Sequence, residues 1–270
     1  MAHKQNRYTQ ILERVFFDRF EPGEIRILFE REDLNKAAAA LGLEPVKNLG
    51  DIVYTFNFRM EVPESLAQYA HQRAQGKNWL IRHVGRGSYE FSIGLREAIP
   101  NPNLAIVKVP DATPGMIIQH AFTDEQATLA KVRYNRLVDI FTGVTCYSLQ
   151  SHLRTTVSGI GQIETDEVYV GVNKAGVQYV FPIEAKGEGE IIGAVQVEQD
   201  LAMAAEKFPD LICTGIVAQS MEQNTICLMS FSRDENGEIR IYEEKHYCLV
   251  PPDKITKSEL ARLRDSFLAS

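Results

Sequence analysis

The sequence lacks any long apolar run, any closely spaced cysteine pair and any serine-hydrolase motif. No stretch approaches the roughly 20 apolar residues that a membrane-spanning helix needs, so no membrane partner is expected. The first residues have no apolar core typical of an export signal. The four cysteines are far apart and Gly-x-Ser-x-Gly is absent. This argues against structural zinc, a disulfide framework and serine hydrolysis, and favours a cytoplasmic protein with reduced thiols.

The composition is that of an ordinary globular protein. Hydrophobic residues make up 44% of the 270 residues and charged residues 24%, which suits one large domain or two modest ones. The net charge of −7 is unevenly distributed, because residues 1–100 hold 14 basic and 13 acidic residues whereas residues 101–270 hold 15 and 23. Affinity for DNA depends on the local placement of Lys and Arg. The total charge therefore neither supports nor excludes a nucleic-acid partner.

Residues 1–95 are predicted to form a small α+β domain. Apolar residues recur at helical spacing over 8–20, and an alanine-rich helix is predicted over 30–41. Asn48 can cap a third helix that ends near residue 58. A β-hairpin follows over 77–93, with glycines in its turn. Helices followed by a hairpin resemble a winged helix.

The hairpin turn carries the candidate DNA contacts of this domain. Arg86 lies between two glycines, with Arg82 and His83 nearby in sequence. An exposed arginine at such a tip suits a phosphate or a minor groove. An ordinary solvent-exposed turn is an equally good interpretation of Arg86, and many winged helices bind proteins instead of DNA. Packing or solvent exposure is the favoured interpretation of His83.

Residues 96–122 are rich in proline and are predicted to be a linker with at most one short strand, at 104–109. A second domain follows over 123–270. It opens with a helix over 123–141 and continues with a short helix over 146–154. The predicted buried stripe of the first helix is Leu129, Val132, Leu137, Ile140 and Phe141.

Polar and acidic residues concentrate on the next hairpin. Two strands are predicted, over 161–172 and 177–186, because both are rich in β-branched and aromatic residues. Glu184 and Lys186 are two residues apart on the second strand and project to one side, where Asp166 can face them. Buried charges are costly unless they are paired or bound to a metal. The pattern therefore predicts a site for a hard divalent cation.

In this order the residues resemble the PD-(D/E)XK nuclease superfamily, which includes many restriction endonucleases. The matching elements are Asp166, the triplet Glu184-Ala185-Lys186, and a following helix that carries Gln196 and Gln199. The resemblance implies an α/β fold, with a restriction-endonuclease-like mixed sheet flanked by helices. It also implies Mg²⁺-dependent hydrolysis of double-stranded DNA, with Mn²⁺ as a substitute. A role in restriction or defence follows, with repair also open, and two chains would pair to cut both strands.

The resemblance further implies a role for each residue of the site. The metal ligands would be Asp166, Glu184 and the Ala185 carbonyl, and Lys186 would orient a water or stabilise charge. Gln196 or Gln199 would be the polar residue contributed by the following helix. Glu125 would be the acidic residue contributed by the first core helix. Asp166 is not preceded by proline, so Glu164 and Glu167 remain alternatives. A solvated Glu184–Lys186 ion pair on a surface hairpin is the competing interpretation. For Glu125, the competing interpretation is a glutamate that complements the helix dipole.

Further elements complete the prediction. Arg154 belongs to a polar group before the acidic strand that suits the DNA backbone or a capped loop. Strands are expected over 211–218, 225–231 and 239–242, with a separate edge strand at 247–250, and a last helix begins at Thr256 with a capping box. That helix is predicted to pack Leu260, Leu263 and Phe267. Two rivals to a nuclease remain, namely a DNA-binding regulator without catalysis and a partner-binding adaptor.

Overall fold

The structure, a computed structural model, describes residues 6–72, 77–95, 97–120, 124–233 and 239–268. It has a smaller N-terminal part and a larger part built on a mixed sheet. Within these ranges, no helix is both long enough and apolar enough to cross a bilayer.

The N-terminal part packs helices against a small antiparallel sheet. Its helices are α1 (Arg7–Phe17), α2 (Arg31–Ala40), α3 (Gly50–Phe58) and α4 (Glu64–His71), and its strands are β1 (Arg26–Glu30), β2 (Asn78–Gly85) and β3 (Ser88–Gly94). The strand order is β1-β3-β2, because β3 pairs with both neighbours. The first two predicted helices and the hairpin are confirmed, whereas the sequence analysis does not predict α4.

An aromatic cluster holds the helices of this part against the hairpin. Phe16 lies edge-on to Trp79 and Phe91, with ring centroids 5.1 Å and 5.3 Å away. The Trp79 indole is buried and donates a hydrogen bond to the Leu66 carbonyl at 3.1 Å. Edge-to-face pairs add about 0.5–1.5 kcal/mol each beyond their buried area. The cluster therefore fixes α1 and α4 against β2 and β3.

The buried amide of Asn57 fixes α3 against the hairpin. Asn57 donates to the Ile81 carbonyl at 2.7 Å and accepts from the Ile81 amide at 3.2 Å. The other end of α3 differs from the prediction, because Leu49 occupies the N-cap position and no side chain caps the helix. Asn48 therefore does not act as the cap. Its backbone carbonyl accepts the Asp51 amide at 3.1 Å.

The segment predicted as a linker carries more structure than expected. It contains β4 (Glu97–Ala98), β5 (Ile106–Pro110) and α5 (Gly115–His120), so the limit of one strand is wrong. β5 runs parallel to β13 (Ile239–Val250) at the edge of the large sheet. An edge is the position in a sheet where a proline is tolerated, since its missing N–H then faces away from the partner strand.

The large sheet is mixed. Its remaining strands are β6 (Thr145–Val157), β7 (Gly161–Val172), β8 (Gln178–Lys186), β10 (Ile212–Cys213), β11 (Gly215–Met221) and β12 (Thr225–Arg233), and β9 (Ile192–Gly193) pairs with β4. The order is β5-β13-β12-β11-β8-β7-β6, with β10 beside β8. β5–β13 and β8–β11 are parallel, while β6 to β8 and β11 to β13 form antiparallel runs.

Helices cover both faces of this sheet, as the sequence predicts. These helices are α6 (Asp124–Tyr134), α7 (Leu137–Thr142) and α8 (Ala194–Lys207), and a last helix, α9 (Lys257–Leu268), follows the sheet. Val132 of α6 packs in one core cluster with Ile183. Val197 and Leu201 of α8 pack in another with Val217. Ile183 and Val217 face opposite ways, because Val217 pairs with Glu184, the next residue along β8.

Two helix predictions at the start of this part are wrong. The helix over 123–141 breaks into α6 and α7 at Arg136, whose φ of 50° is left-handed, and Ile140 is 49% exposed. The short helix over 146–154 is part of β6. β6 pairs with β7 along most of its length, so the hydrogen bonds of that ladder outweigh the weak helical pattern. Position 123, which opens the predicted capping box there, lies outside the described residues.

The C-terminal helix has its predicted start but not its predicted packing. The Thr256 amide donates to Glu259 at 2.8 Å and the Glu259 amide donates to the Thr256 hydroxyl at 3.2 Å, which is a capping box. Leu260, Leu263 and Phe267 are 55%, 56% and 80% exposed. The prediction that they pack is therefore wrong, because all three side chains are mostly exposed to solvent.

Candidate functional site

The predicted site residues meet where β7 and β8 stop pairing. The last pair in this ladder is Glu167 with Ile183. One residue further, Asp166 uses its side chain instead, and its Oδ2 accepts the Ala185 amide at 2.8 Å. The carboxylate of Asp166 is thereby fixed against the end of β8. The side chain of Ala185 is buried in the core, and the role of its carbonyl stays a prediction.

Glu184, Lys186 and Gln196 converge on one carboxylate oxygen. Lys186 Nζ donates to Glu184 Oε1 at 2.6 Å, and Gln196 Nε2 of α8 donates to the same oxygen. Glu184 is 3% exposed, and its Oε2 has no hydrogen-bond partner among the described residues. We call Asp166, Glu184, Lys186 and Gln196 the cleft cluster. The alternative of a solvated surface ion pair does not fit this burial.

The backbone of β6 is irregular next to Asp166. β6 pairs with β7 through Ser151–Glu167 and Leu153–Thr165, and the intervening His152 has a φ of 49°. A left-handed conformation at a non-glycine residue inside a strand locally disrupts the ladder. The irregularity lies opposite the position from which Asp166 reaches β8.

Burial and mutual repulsion dominate the electrostatics of the cleft cluster. Burial, then the charge of Asp166, raise the pKa of Glu184 well above its usual range. Burial alone would lower the pKa of Lys186, but the attraction and hydrogen bond of Glu184 outweigh burial and raise that pKa. The Lys186 ammonium is therefore charged. Burial and Asp166 also raise the pKa of Glu125, which places this residue within electrostatic reach of the cluster.

Asp200 is an acid of this region that the sequence analysis does not identify. It lies one helical turn after Gln196 on α8, is 3% exposed, and accepts the Thr165 hydroxyl at 2.5 Å. Burial raises the pKa of Asp200 to about 7, Asp166 adds to the rise and Thr165 opposes it. Its spacing of four residues from Gln196, which puts both on one side of a helix, is the sequence signal that could have found it.

The two alternative acids are paired with basic side chains, and Glu164 lines the same cleft as Asp166. Glu167 is fully buried and binds Arg133 of α6 at 2.6 Å. Glu164 is paired with Arg154 of β6 at 2.9 Å and with His152 at 3.5 Å. Among the three acids, Asp166 is therefore the one whose carboxylate is held against the end of β8.

The cleft cluster opens into a cleft of about 750 Å³ that both parts of the chain line. The larger part contributes the cluster, together with Glu125, Gln199 and the loop around Gly189. The N-terminal part contributes Tyr54 of α3 and Arg59, the residue after that helix, with the Arg59 guanidinium 4.9 Å from the Tyr54 ring centroid. No sequence signal points to these two residues, because only the folded chain brings α3 to the cleft.

The predicted DNA-contacting arginines have different surroundings. Arg82 binds Glu198 of α8 through Nε and a terminal nitrogen, both at 2.6 Å, so it links the two parts of the chain. Arg154 pairs with Glu164 on the surface. Arg86 is exposed in the turn between β2 and β3, next to Gly87, whose φ is 78°. DNA contacts by these arginines stay predictions; Arg86 and Arg154 are exposed, whereas Arg82 is partly buried.

The cleft cluster has the chemistry of a site for a hard divalent cation. Asp166 and the unpartnered Oε2 of Glu184 are oxygen donors, the preferred ligands of Mg²⁺. Burial, and after it the charge of Asp166, raise the pKa of Glu184, and a cation bound between the two acids would offset both effects. A comparison with models of known protein families, with curated proteins and with solved structures gives no match for this chain.

Proposed function

We propose that the protein is a Mg²⁺-dependent DNA endonuclease that acts in the cytoplasm, in restriction or defence. The observation that carries the proposal is the cleft cluster, in which Asp166, Glu184 and Lys186 meet at the end of a strand and open into a cleft. The mixed sheet with helices on both faces agrees with the restriction-endonuclease-like fold that the resemblance implies.

The metal would be held by Asp166 and Glu184, with the Ala185 carbonyl as the third protein ligand. Both side-chain donors to Glu184 bind Oε1, which leaves Oε2 free for the cation. When bound, Mg²⁺ supplies a water of lowered pKa and offsets negative charge on the phosphate.

Each remaining residue has a task that its contacts support. Lys186 is held charged by Glu184, so it can orient the attacking water or stabilise charge on the phosphate. Gln196 donates to Glu184 and so orients that carboxylate. Glu125 lines the cleft, and burial and Asp166 raise its pKa, which suits the additional acidic residue of the metal site.

The N-terminal part is proposed to read DNA in the manner of a winged helix. Its helices precede the β2–β3 hairpin, and α3 lies along the cleft that holds the cluster. A duplex entering this cleft would meet Tyr54 and Arg59 on one side and the cleft cluster on the other. The exposed Arg86 at the hairpin turn would contact phosphate outside the cleft.

A cleavage assay tests the proposal. Plasmid and linear DNA incubated with the protein are expected to be cut with Mg²⁺ or Mn²⁺ and to stay intact with a chelator. Asp166→Asn is expected to abolish cleavage, and Asp210→Asn, an exposed acid that does not line the cleft, serves as the matched control. Wild-type cleavage by Asp166→Asn would contradict the site. DNA binding without cleavage would favour a regulator, and no DNA retardation at low salt would favour a partner-binding adaptor.

A further inference from the structure

Three side chains capable of binding a metal meet on β12 and β13, away from the cleft cluster. Cys227 of β12 is the direct cross-strand partner of His246 of β13. Glu244 lies two residues before His246 and therefore projects from the same side of the strand. Cys227 and His246 are 0% and 2% exposed. A thiol, an imidazole and a carboxylate thus share one buried position of the sheet.

The distances within this group are close to those of a metal site. Glu244 Oε1 lies 2.7 Å from His246 Nε2 and 3.7 Å from Cys227 Sγ, and the three ligand atoms all lie within 4.8 Å of one another. Ligands bound tetrahedrally at zinc's usual distances are separated by roughly 3.3–3.5 Å. Small side-chain movements therefore suffice to place all three around one ion.

We infer that Cys227, Glu244 and His246 bind one zinc ion, at a site separate from the Mg²⁺ site. The donor set decides the metal, because thiolate and imidazole favour zinc whereas Mg²⁺ prefers oxygen ligands. The wide spacing of the cysteines predicts that the chain has no structural zinc. The fold allows a zinc site nevertheless, because strand pairing brings a histidine and a glutamate next to a single cysteine.

Gln219, on the strand beside Cys227, is a candidate for a fourth ligand. It is the cross-strand partner of Cys227 on β11 and is 4% exposed. Its Nε2 donates to the Gly187 and Glu190 carbonyls at 3.3 Å and 2.8 Å, and its Oε1 is buried with no hydrogen-bond partner among the described residues. An unpartnered buried oxygen is costly. Ligation by Gln219 Oε1 would complete a tetrahedral site.

The group lies against a hydrophobic cluster, because Cys227 packs with Val217 and Phe231. A divalent ion bound there would offset the negative charge of the Glu244 carboxylate and of a Cys227 thiolate. The backbone amide of Asn101 donates to Glu244 Oε1 at 2.7 Å. This hydrogen bond, from the segment that joins the two parts of the chain, orients the carboxylate.

The test loads the full chain with metal and asks which residues hold it. Metal-free protein is titrated with Zn²⁺ and with Co²⁺, whose absorption reports a bound thiolate directly. One tight Zn²⁺ per chain and a thiolate-to-cobalt charge-transfer band are expected. Cys227→Ser is expected to lose the band and to weaken zinc binding at least about 100-fold, since even partners of metal ligands contribute roughly 10–100-fold.

Two variants are matched controls. Cys248→Ser changes a cysteine of β13 that lies outside the group. Asp166→Asn changes the cleft cluster. Both are expected to keep the band and the affinity. A wild-type protein that binds no Zn²⁺, a Co²⁺ complex without a thiolate band, or full affinity in Cys227→Ser would each overturn the inference. If Cys227→Ser does not fold, the wild-type Co²⁺ spectrum decides.

Discussion

The cleft cluster and the Cys227–Glu244–His246 group lie on the same sheet but differ in chemistry and access. The cleft cluster presents carboxylate oxygens to a cleft of about 750 Å³. The Cys227 group has a buried thiol and a buried imidazole on the face of the sheet against which α8 packs. Two residues in register, Gln219 and Cys227, lead across the sheet from Lys186 to the second group.

The difference shows how one sheet can present two kinds of ligand set. At the cleft cluster the ladder between β7 and β8 ends, so side chains and solvent can replace backbone pairing. At the Cys227 group the β12–β13 ladder is continuous, so the ligands are fixed by cross-strand register. An open oxygen site suits a catalytic cation with exchangeable waters, and a closed site with sulfur and nitrogen donors suits a structural ion.

Replacing the lysine of the cleft cluster gives the largest expected effect of the changes considered in this comparison. Lys186→Met is expected to lower the cleavage rate on the order of 10²–10³-fold, the usual effect of removing one stabilising group, with DNA affinity nearly kept. Lys174→Met, in the exposed β7–β8 turn, is the control. Rates come from single-turnover cleavage and affinities from DNA titration in Ca²⁺. A Lys186→Met rate equal to that of the control would separate Lys186 from the chemistry.

Removing a buried charge beside the cleft cluster is expected to change the pH dependence of stability. Because the folded pKa of Asp200 is about 7, the native state holds an extra proton between about pH 4 and pH 7. This group therefore lowers the free energy of unfolding as pH rises through that range. Asp200→Asn is expected to remove this slope and to stabilise the metal-free protein at pH 8 by up to roughly 4 kcal/mol.

Urea unfolding in chelator at pH 5 and pH 8 measures the effect of Asp200→Asn. Asp210→Asn, an exposed acid after α8, is the control and should retain the wild-type slope. The same pH dependence in Asp200→Asn and wild type would show that Asp200 is ionised without cost.

Zinc is expected to raise the thermal stability of the protein through the Cys227–Glu244–His246 group and not through the cleft cluster. Zinc at 100 times its Kd would raise the free energy of unfolding by about 2.7 kcal/mol and Tm by roughly 5–10 °C. His246→Gln is expected to lose this increase, whereas Glu184→Gln is expected to keep it. Thermal melts with and without Zn²⁺ measure the shift. A shift that follows Glu184 instead of His246 would place the zinc in the cleft.

The smallest expected effects concern the path of DNA. Arg59→Ala, in the cleft, and Arg86→Ala, at the hairpin turn, are each expected to reduce the salt dependence of binding by about one phosphate contact. The rate at saturating DNA should stay near normal in Arg86→Ala. Binding titrations at several salt concentrations measure both slopes. Unchanged affinity and slope in Arg86→Ala would mean that the hairpin does not contact DNA.

The cleft cluster is predictable because its pattern is local. Glu184 and Lys186 are two residues apart on a strand, and an adjacent strand carries Asp166, so period-2 geometry and one hairpin are enough to bring them together. The sheet class follows from the same alternation of elements. The assignment of β6 fails because its exposed residues do not alternate, and its partner β7 decides its conformation.

Contacts between distant segments are not predictable from the residues. Arg82 pairs with Glu198, 116 residues away, and α3 reaches a cleft whose acidic residues all follow position 124. The Cys227 group depends on the register of two strands, which periodicity alone does not specify. Cysteine spacing is informative when all the ligands are close in sequence, and here they are not.

The exposed apolar side of α9 has a consequence for how the protein opens. Among its described residues, α9 buries no side chain, so little hydrophobic free energy holds it to the sheet. Its capping box and the Lys108–Glu259 pair at 2.7 Å hold its first turn. Local opening of α9 therefore costs much less than global unfolding. Its backbone amides should exchange with deuterated solvent long before those of β8 and β11.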